Sequence, residues 1–282
     1  MNCTEIHLKE HFAFLGQDGK DPVLTAYLPY DKDPIKCQDK PHPTILLCPG
    51  GGYSSLSKRE GEAVALKFLP EGYNVFILTY SVPGHAFPTQ IREVAAAMEL
   101  IYQNAGAWRC DTQRVAIMGF SAGGHLAAHY TNAYDCPEVR AVFPESKAVN
   151  ACILCYPVIT GDPEHAHKGS FKHLAGHDYP MSDAELDKFS CDRLVSVKTP
   201  PTFVWHCATD EAVPVANSLL YAAALNRWGV PFALHIYHTG EHGMATADAQ
   251  TYRVPMHEGV EEACQAVKNW IPTLLQWLKD TF

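Results

Sequence analysis

Short β-rich runs alternate with longer helical stretches between about residue 44 and residue 238 of this 282-residue chain. Such alternation is typical of a mostly parallel sheet that is flanked by helices on both faces. Several runs are apolar on both sides, as central parallel strands must be. The predicted strands cover 44–48, 74–80, 114–120, 151–158, 202–207 and 232–238, and the predicted helices cover 58–69, 88–104, 122–134, 215–228 and 259–280. The pattern therefore predicts an α/β fold.

Two segments do not follow this alternation. Residues 5–15 and 23–30 are predicted to pair as antiparallel strands ahead of the parallel ones. After the sixth strand, residues 160–198 form a polar stretch with Gly, Pro and four histidines that is too long for an ordinary connection. We expect it to be a cap-like insertion over a site, within a single domain of residues 1–282.

Composition and charge exclude several classes of partner. Acidic residues outnumber Lys and Arg by 31 to 22, and no basic run could follow a phosphate backbone, so we expect no nucleic acid partner. No segment approaches the roughly 20 apolar residues of a membrane span, and the first residues contain no apolar leader. We therefore expect no membrane partner.

Five of the ten cysteines lie inside apolar runs, where thiols behave as small hydrophobic groups (Cys48, Cys152, Cys155, Cys207 and Cys264). This use of cysteine favours a reducing compartment and predicts a cytoplasmic location. Cys152 and Cys155 form a C-x-x-C pair, but residues three apart on a strand point to opposite faces. We expect no metal or redox role for this pair.

The sequence Gly119-Phe-Ser121-Ala-Gly123 stands where a predicted strand meets a predicted helix. This is the context of a nucleophile elbow, a sharp turn that exposes a serine hydroxyl and needs glycine on either side. An isolated pattern of this kind is often a chance junction, but the motifs described next favour the functional interpretation. Ser121 is the predicted nucleophile.

Backbone amides near this serine are candidate donors to an oxyanion. The N–H of Ala122 begins the following helix. Upstream, a strand runs into Pro49-Gly50-Gly51-Gly52-Tyr53, where glycines let the backbone approach a ligand, so Gly51 and Gly52 are predicted to complete the oxyanion hole. A phosphate loop would need a Gly-Lys-Ser/Thr ending that is missing here. Tyr53 is a candidate pocket residue.

A carboxylate follows the next-to-last predicted strand, which ends in TFVWHC. Active sites of open α/β sheets lie at the carboxyl edge, where this strand ends. Asp210 and Glu211 are both candidates, and Asp210 is favoured because it is shorter and nearer the strand end. Pro214, four residues later, is a second candidate pocket residue.

The predicted base is His242, in a glycine-flanked loop just after the last strand, in the order Ser, Asp, His that this chemistry requires. His235 and His238 lie in or at the end of that strand and are expected to be packed or exposed. His125 follows the serine by one helical turn and is interpreted as structural. The histidines of the insertion lack ligand spacing for zinc and are predicted to lie on the surface (His165, His167, His173 and His177).

Four stretches carry a resemblance that spans nearly the whole chain: CPGGGY, residues 111–127, WHCATDEAVPV and YHTGEHG. Together they resemble bacterial acetyl esterases and xylan acetylesterases of the α/β-hydrolase superfamily, in the branch with a PGGG-type oxyanion loop. The resemblance implies the α/β-hydrolase fold, the same triad and oxyanion residues, and no metal or organic cofactor. Hormone-sensitive-lipase-like relatives carry His where this chain has Pro49, so their substrate preferences do not transfer.

The function predicted from these residues is a serine esterase that removes acetyl or similarly small acyl groups, with an acetylated carbohydrate as the expected small-molecule partner. One alternative is a prolyl-oligopeptidase-like peptidase, although that class usually adds a propeller domain too large for this length. Another is a ligand-binding protein on the same fold, which an intact triad disfavours. A homodimer through edge strands or through Trp270 and Trp277 is also expected.

Overall fold

A computed structural model describes residues 2–15, 21–29, 40–251 and 259–282. The strands are β1 (Asn2–His7), β2 (Val23–Leu28), β3 (His42–Cys48), β4 (Asn74–Thr79), β5 (Cys110–Phe120), β6 (Ala151–Cys155), β7 (Thr202–Cys207) and β8 (Phe232–Tyr237). They form one sheet in the order β1-β2-β4-β3-β5-β6-β7-β8. The strands from β3 to β8 run parallel, while β2 is antiparallel to both of its neighbours. The mostly parallel sheet predicted from the alternation is confirmed.

Helices cover both faces of the sheet. They are α1 (Leu8–His11), α2 (Glu62–Phe68), α3 (Thr89–Gln103), α4 (Ala105–Trp108), α5 (Ser121–Ala133), α6 (Pro137–Arg140), α7 (Lys168–Ala175), α8 (Asp183–Phe189), α9 (Cys191–Leu194), α10 (Ala216–Arg227), α11 (Val260–Val267) and α12 (Trp270–Thr281). Alternate residues of β3 show the layering. Leu46 belongs to the buried cluster that includes residues of α3, α5 and α10, whereas Leu47 belongs to the cluster that includes residues of α2, α11 and α12. Each fully buried leucine side chain contributes about 1.5–3 kcal/mol of transfer free energy, so both faces stabilise the sheet.

Two predicted elements differ from the structure. Strand β1 ends at His7, because Leu8 turns into the core and its N–H donates to the Pro22 carbonyl, so the first antiparallel segment is shorter than residues 5–15. The predicted helix over 259–280 is two helices, α11 and α12. Pro272 lies in the first turn of α12, and a proline there cannot extend a continuous helix because it clashes with the carbonyl four residues earlier.

The end of the chain belongs to the core. Trp270 is fully buried, and its indole N–H donates to the Ala245 carbonyl at 2.9 Å. Trp277 is partly buried against Phe203. Trp270 therefore cannot contribute to the dimer contact that was predicted for it. The dimer itself stays a prediction.

The polar stretch after β6 is the segment for which the sequence predicts a cap-like insertion. It contains α7, α8 and α9, and its apolar residues Phe171, Leu174 and Phe189 pack onto the core. In the part of the chain that the structure describes, no helix is both long enough and apolar enough to cross a bilayer.

The register of the sheet brings the strand ends to one edge. Cys48 pairs with Gly119, and Phe120 pairs with Cys155, so β3, β5 and β6 end side by side. The segments that follow these strands, together with those after β7 and β8, therefore meet at the carboxyl edge, where ligands bind in folds of this kind.

Candidate active site

Ser121 occupies a strained turn between β5 and α5. Its φ is 53°, in the left-handed region that few residues other than glycine adopt. A β-carbon on Gly119 would lie 2.1 Å from the Gly123 carbonyl oxygen, and one on Gly123 would lie 2.2 Å from the Cys48 carbonyl oxygen. Only glycine fits at these two positions, as the geometry of a nucleophile elbow requires.

Three side chains form one hydrogen-bonded chain at this turn. The Nε2 of His242 lies 2.8 Å from the Oγ of Ser121, and its Nδ1 lies 2.7 Å from the Oδ2 of Asp210. The Nδ1–H donates to the carboxylate, which leaves Nε2 free to accept the serine proton. Glu211, the alternative acid, is exposed. The structure thus brings together the three residues predicted from the sequence.

Asp210 is held as an acceptor on both oxygens. Its Oδ1 accepts from the N–H groups of Ala212 and Val213 at 3.0 and 2.9 Å. Burial acts to raise the pKa of this carboxyl, but hydrogen bonds from His206, His242 and the Val213 amide outweigh it, so the pKa lies well below its usual value. Asp210 is therefore ionised at neutral pH, where it can orient an imidazole.

Sequence reasoning missed His206, which lies within β7 and is fully buried. Its Nε2–H is shared between the Oδ2 of Asp210 at 3.2 Å and the Val213 carbonyl at 3.0 Å, while its Nδ1 accepts from the Ser218 hydroxyl at 2.8 Å. A polar residue in the otherwise apolar TFVWHC run was the available signal, because a buried polar group needs partners.

The glycine loop after β3 lies against the serine. A β-carbon on Gly50 would lie 2.8 Å from the Cβ of Ser121, and one on Gly51 would lie 2.1 Å from the Ser55 carbonyl oxygen. The Gly51 carbonyl accepts from the N–H groups of Ser54 and Ser55, which closes the loop into a tight turn. The predicted oxyanion donors Gly51 and Gly52 directly follow the glycine that lies against Ser121, and the third donor, Ala122, directly follows the serine.

A buried carboxylate that was not predicted anchors this loop. Glu60 is 2 % exposed; its Oε2 accepts from the Gly50 N–H and its Oε1 from the Tyr156 hydroxyl, each at 2.8 Å. The Tyr156 hydroxyl in turn accepts from the Ala245 N–H at 3.0 Å. The rings of Tyr156 and His242 pack edge to face, with 5.1 Å between their centroids. Glu60 therefore links the glycine loop to the loop that carries His242.

The structure corrects the prediction that Tyr53 lines the pocket. Its side chain is fully buried, and its hydroxyl donates to the Nδ1 of His125 at 2.8 Å, while the Nε2–H of His125 donates to the Phe189 carbonyl. Burial lowers the pKa of His125 to about 4, so its ring is neutral at pH 7 and supports the loop. Pro214 is half-buried, next to the Val213 amide that contacts Asp210.

Two histidines of the insertion contact the glycine loop rather than lying on the surface as predicted. The Nδ1–H of His173 donates to the Gly52 carbonyl at 3.0 Å. The ring of His167 lies beside Gly52, since a β-carbon there would come within 3.9 Å of its Cε1. Burial, and then the nearby His242, lower the pKa of His167. These are contacts between residues far apart in the sequence, so the spacing of histidines within the insertion does not predict them.

The other four histidines weighed from the sequence stay outside this arrangement. His235 packs on Phe203, and His238 is exposed just after β8. His165 is half-buried, and His177 is exposed and contacts Glu185. Across the described residues, no group of three or more His, Cys, Asp or Glu side chains could hold a metal ion.

The chain matches the BD-FAE family over residues 33–225. It is 36% identical over 242 residues to endo-1,4-beta-xylanase B of Butyrivibrio fibrisolvens, covering 82% of this chain and 36% of that protein. It is 28% identical over 233 residues to an acetylxylan esterase of Xylanibacter ruminicola, covering 82% of this chain and 45% of that protein. The chain thus spans less than half the length of these two curated relatives.

A solved structure matches along almost the whole length. The acetyl ester-xyloside bifunctional hydrolase from Caldicellulosiruptor lactoaceticus superposes with a TM-score of 0.81 at 32% identity, covering 98% of this chain and 96% of that one. The predicted α/β-hydrolase fold is thereby confirmed.

Proposed function

Since the chain belongs to the BD-FAE family, we propose that it is a serine esterase that hydrolyses short-chain carboxylic esters. One observation carries the proposal: the hydrogen-bonded chain from Ser121 through His242 to Asp210, at the edge of the sheet beside a glycine loop. In this proposal, Ser121 is the nucleophile, His242 the general base and Asp210 the acid that orients it.

The proposed reaction has two halves. The Oγ of Ser121 attacks the ester carbonyl while the Nε2 of His242 takes its proton, and the oxyanion is stabilised by the amides of Ala122 and the Gly51–Gly52 segment. The imidazolium then gives its proton to the departing alcohol, which leaves an acyl-enzyme. Water, deprotonated by the same imidazole, attacks the acyl carbon and releases the acid and the free serine.

For the substrate, we propose an acetyl ester of a sugar. The support is the chain's similarity to a xylanase, an acetylxylan esterase and an acetyl ester-xyloside hydrolase. We also propose a cytoplasmic location, which is supported by the free thiols of the cysteines within the described residues, most of them buried.

Ester hydrolysis by purified wild type and by Ser121→Ala tests the proposal, with 4-nitrophenyl acetate, butyrate and octanoate and with acetylated xylo-oligosaccharides as substrates. Ser146→Ala, at a serine outside the site, is the matched control. We expect turnover of acetate above octanoate, a loss of more than about 10³-fold in Ser121→Ala, and wild-type rates in the control. Turnover of acylated peptides alone would instead favour the peptidase alternative, and no turnover at all would favour a binding role.

A further inference from the structure

A cavity of about 380 Å³ lies between the loop after β4 and the helix α7 of the insertion. His85 and Ala86 line one side, and Lys172, His173 and Asp178 line the other. The two walls are joined by backbone, because the N–H of Phe87 donates to the Leu174 carbonyl at 2.8 Å. The volume falls within the range of about 300–1,000 Å³ that small-molecule sites occupy.

One residue connects this cavity to the glycine loop beside the proposed nucleophile. His173 lines the cavity, and its Nδ1–H also donates to the Gly52 carbonyl at 3.0 Å. Gly52 in turn belongs to the loop that lies against Ser121. A ligand in the cavity would therefore contact the same helix that supports the oxyanion loop.

The chemistry of the walls favours a neutral ligand with many hydroxyl groups. Lys172 and Asp178 form an ion pair at 2.6 Å, and His177 contacts Glu185, so the charges of the lining are already compensated. An ammonium only donates hydrogen bonds and a carboxylate only accepts them, whereas an imidazole does both. A hydroxyl group can both donate and accept, so it can bind to every one of these groups.

We propose that the cavity is the subsite for the alcohol portion of the ester, a neutral sugar that Lys172, His173 and Asp178 bind while its acyl group lies at Ser121. The inference rests on the proposed esterase function and extends it. The cavity then determines which alcohol is preferred, while the triad performs the same chemistry on any acetate ester that reaches it.

Two variants alter the cavity in different ways. Ala86→Trp fills it, and Lys172→Met removes an exposed ammonium from its wall without a demand on the core. Lys168→Met is the matched control, because Lys168 lies on the same helix but faces the Tyr179 ring at 5.6 Å. The measurement is the ratio of kcat/KM for acetylated xylobiose to kcat/KM for 4-nitrophenyl acetate, which has no sugar.

The subsite predicts that this ratio falls by about tenfold or more in Lys172→Met and in Ala86→Trp, mainly through KM for the sugar ester, and not in Lys168→Met. If wild type hydrolyses both esters and the ratio is unchanged in both cavity variants, the subsite is refuted while the esterase function stands. If wild type hydrolyses neither ester, the esterase function fails and the subsite with it.

Discussion

The buried carboxylate of Glu60 should control the oxyanion loop, and Glu60→Gln tests this with almost no change in shape. Each oxygen of Glu60 accepts one hydrogen bond, from the Gly50 N–H and from the Tyr156 hydroxyl. A glutamine offers one acceptor and one donor group in the same space. If its oxygen faces Tyr156, its amide confronts the Gly50 N–H, and two donors then meet.

The opposite orientation also leaves a group unpaired. With the glutamine amide towards Tyr156, the tyrosine hydroxyl would accept from that amide and from the Ala245 N–H, and its own proton would lose its acceptor. Either way, one buried hydrogen bond is lost, because Glu60 is only 2 % exposed. An unsatisfied buried donor costs about 1–3 kcal/mol, so the free energy of unfolding should fall by that amount. A displacement of the adjacent loop should lower kcat by about tenfold or more.

Urea unfolding and kcat for 4-nitrophenyl acetate, measured on the same preparations, give both quantities. Glu145→Gln makes the same chemical change at an exposed glutamate and should leave stability and kcat at wild-type values. A Glu60→Gln protein with wild-type stability and wild-type kcat would refute the idea that this carboxylate holds the loop. Lost stability with unchanged kcat would restrict Glu60 to a structural role.

Three further changes test the surroundings of the triad. Asp210→Asn should lower kcat by on the order of 10⁴-fold, because an amide cannot hold the imidazole in the required tautomer, and a decrease below tenfold would contradict that role. Tyr53→Phe should lower the free energy of unfolding in urea by about 1–3 kcal/mol, because the Nδ1 of His125 loses its donor. Burial lowers the pKa of His125 to about 4 and that of His129 to about 3, so between pH 6.5 and 4 the unfolded chain binds protons that the folded chain does not. Stability should therefore fall as the pH falls through this interval, and His129→Phe should reduce the slope; an unchanged slope would contradict the argument.

Short sequence patterns were enough to predict most of the fold and the catalytic candidates. The strand-to-helix junction at Ser121 needs glycines at positions 119 and 123, and this demand appears in five consecutive residues. Asp210 and His242 could be predicted because each closely follows a strand whose apolar run is easy to recognise. Only one rule of topology is needed to place them near Ser121, namely that parallel strands end at the same edge of the sheet.

The contacts that support these residues were not predictable in the same way. Ser121 and His242 are 121 residues apart, and so are His173 and Gly52. The first pair belongs to a known chemical pattern, whereas the second arises because the insertion folds back onto the glycine loop. Spacing within residues 160–198 contains no information about which distant carbonyl a histidine contacts, so the sequence alone predicts a surface position for His167 and His173.

Buried polar residues nevertheless carry a signal of their own. His206 interrupts an apolar strand, and it is fully buried. Such a residue is tolerated only when its donors and acceptors find partners, and here the partner on one side is Asp210. Glu60 follows the same logic, since a carboxylate in a dry environment must accept hydrogen bonds, and the Gly50 amide is one of the donors it finds. A polar residue within an apolar strand at the carboxyl edge therefore predicts a supporting group of the site, although the identity of its partner depends on the folded chain.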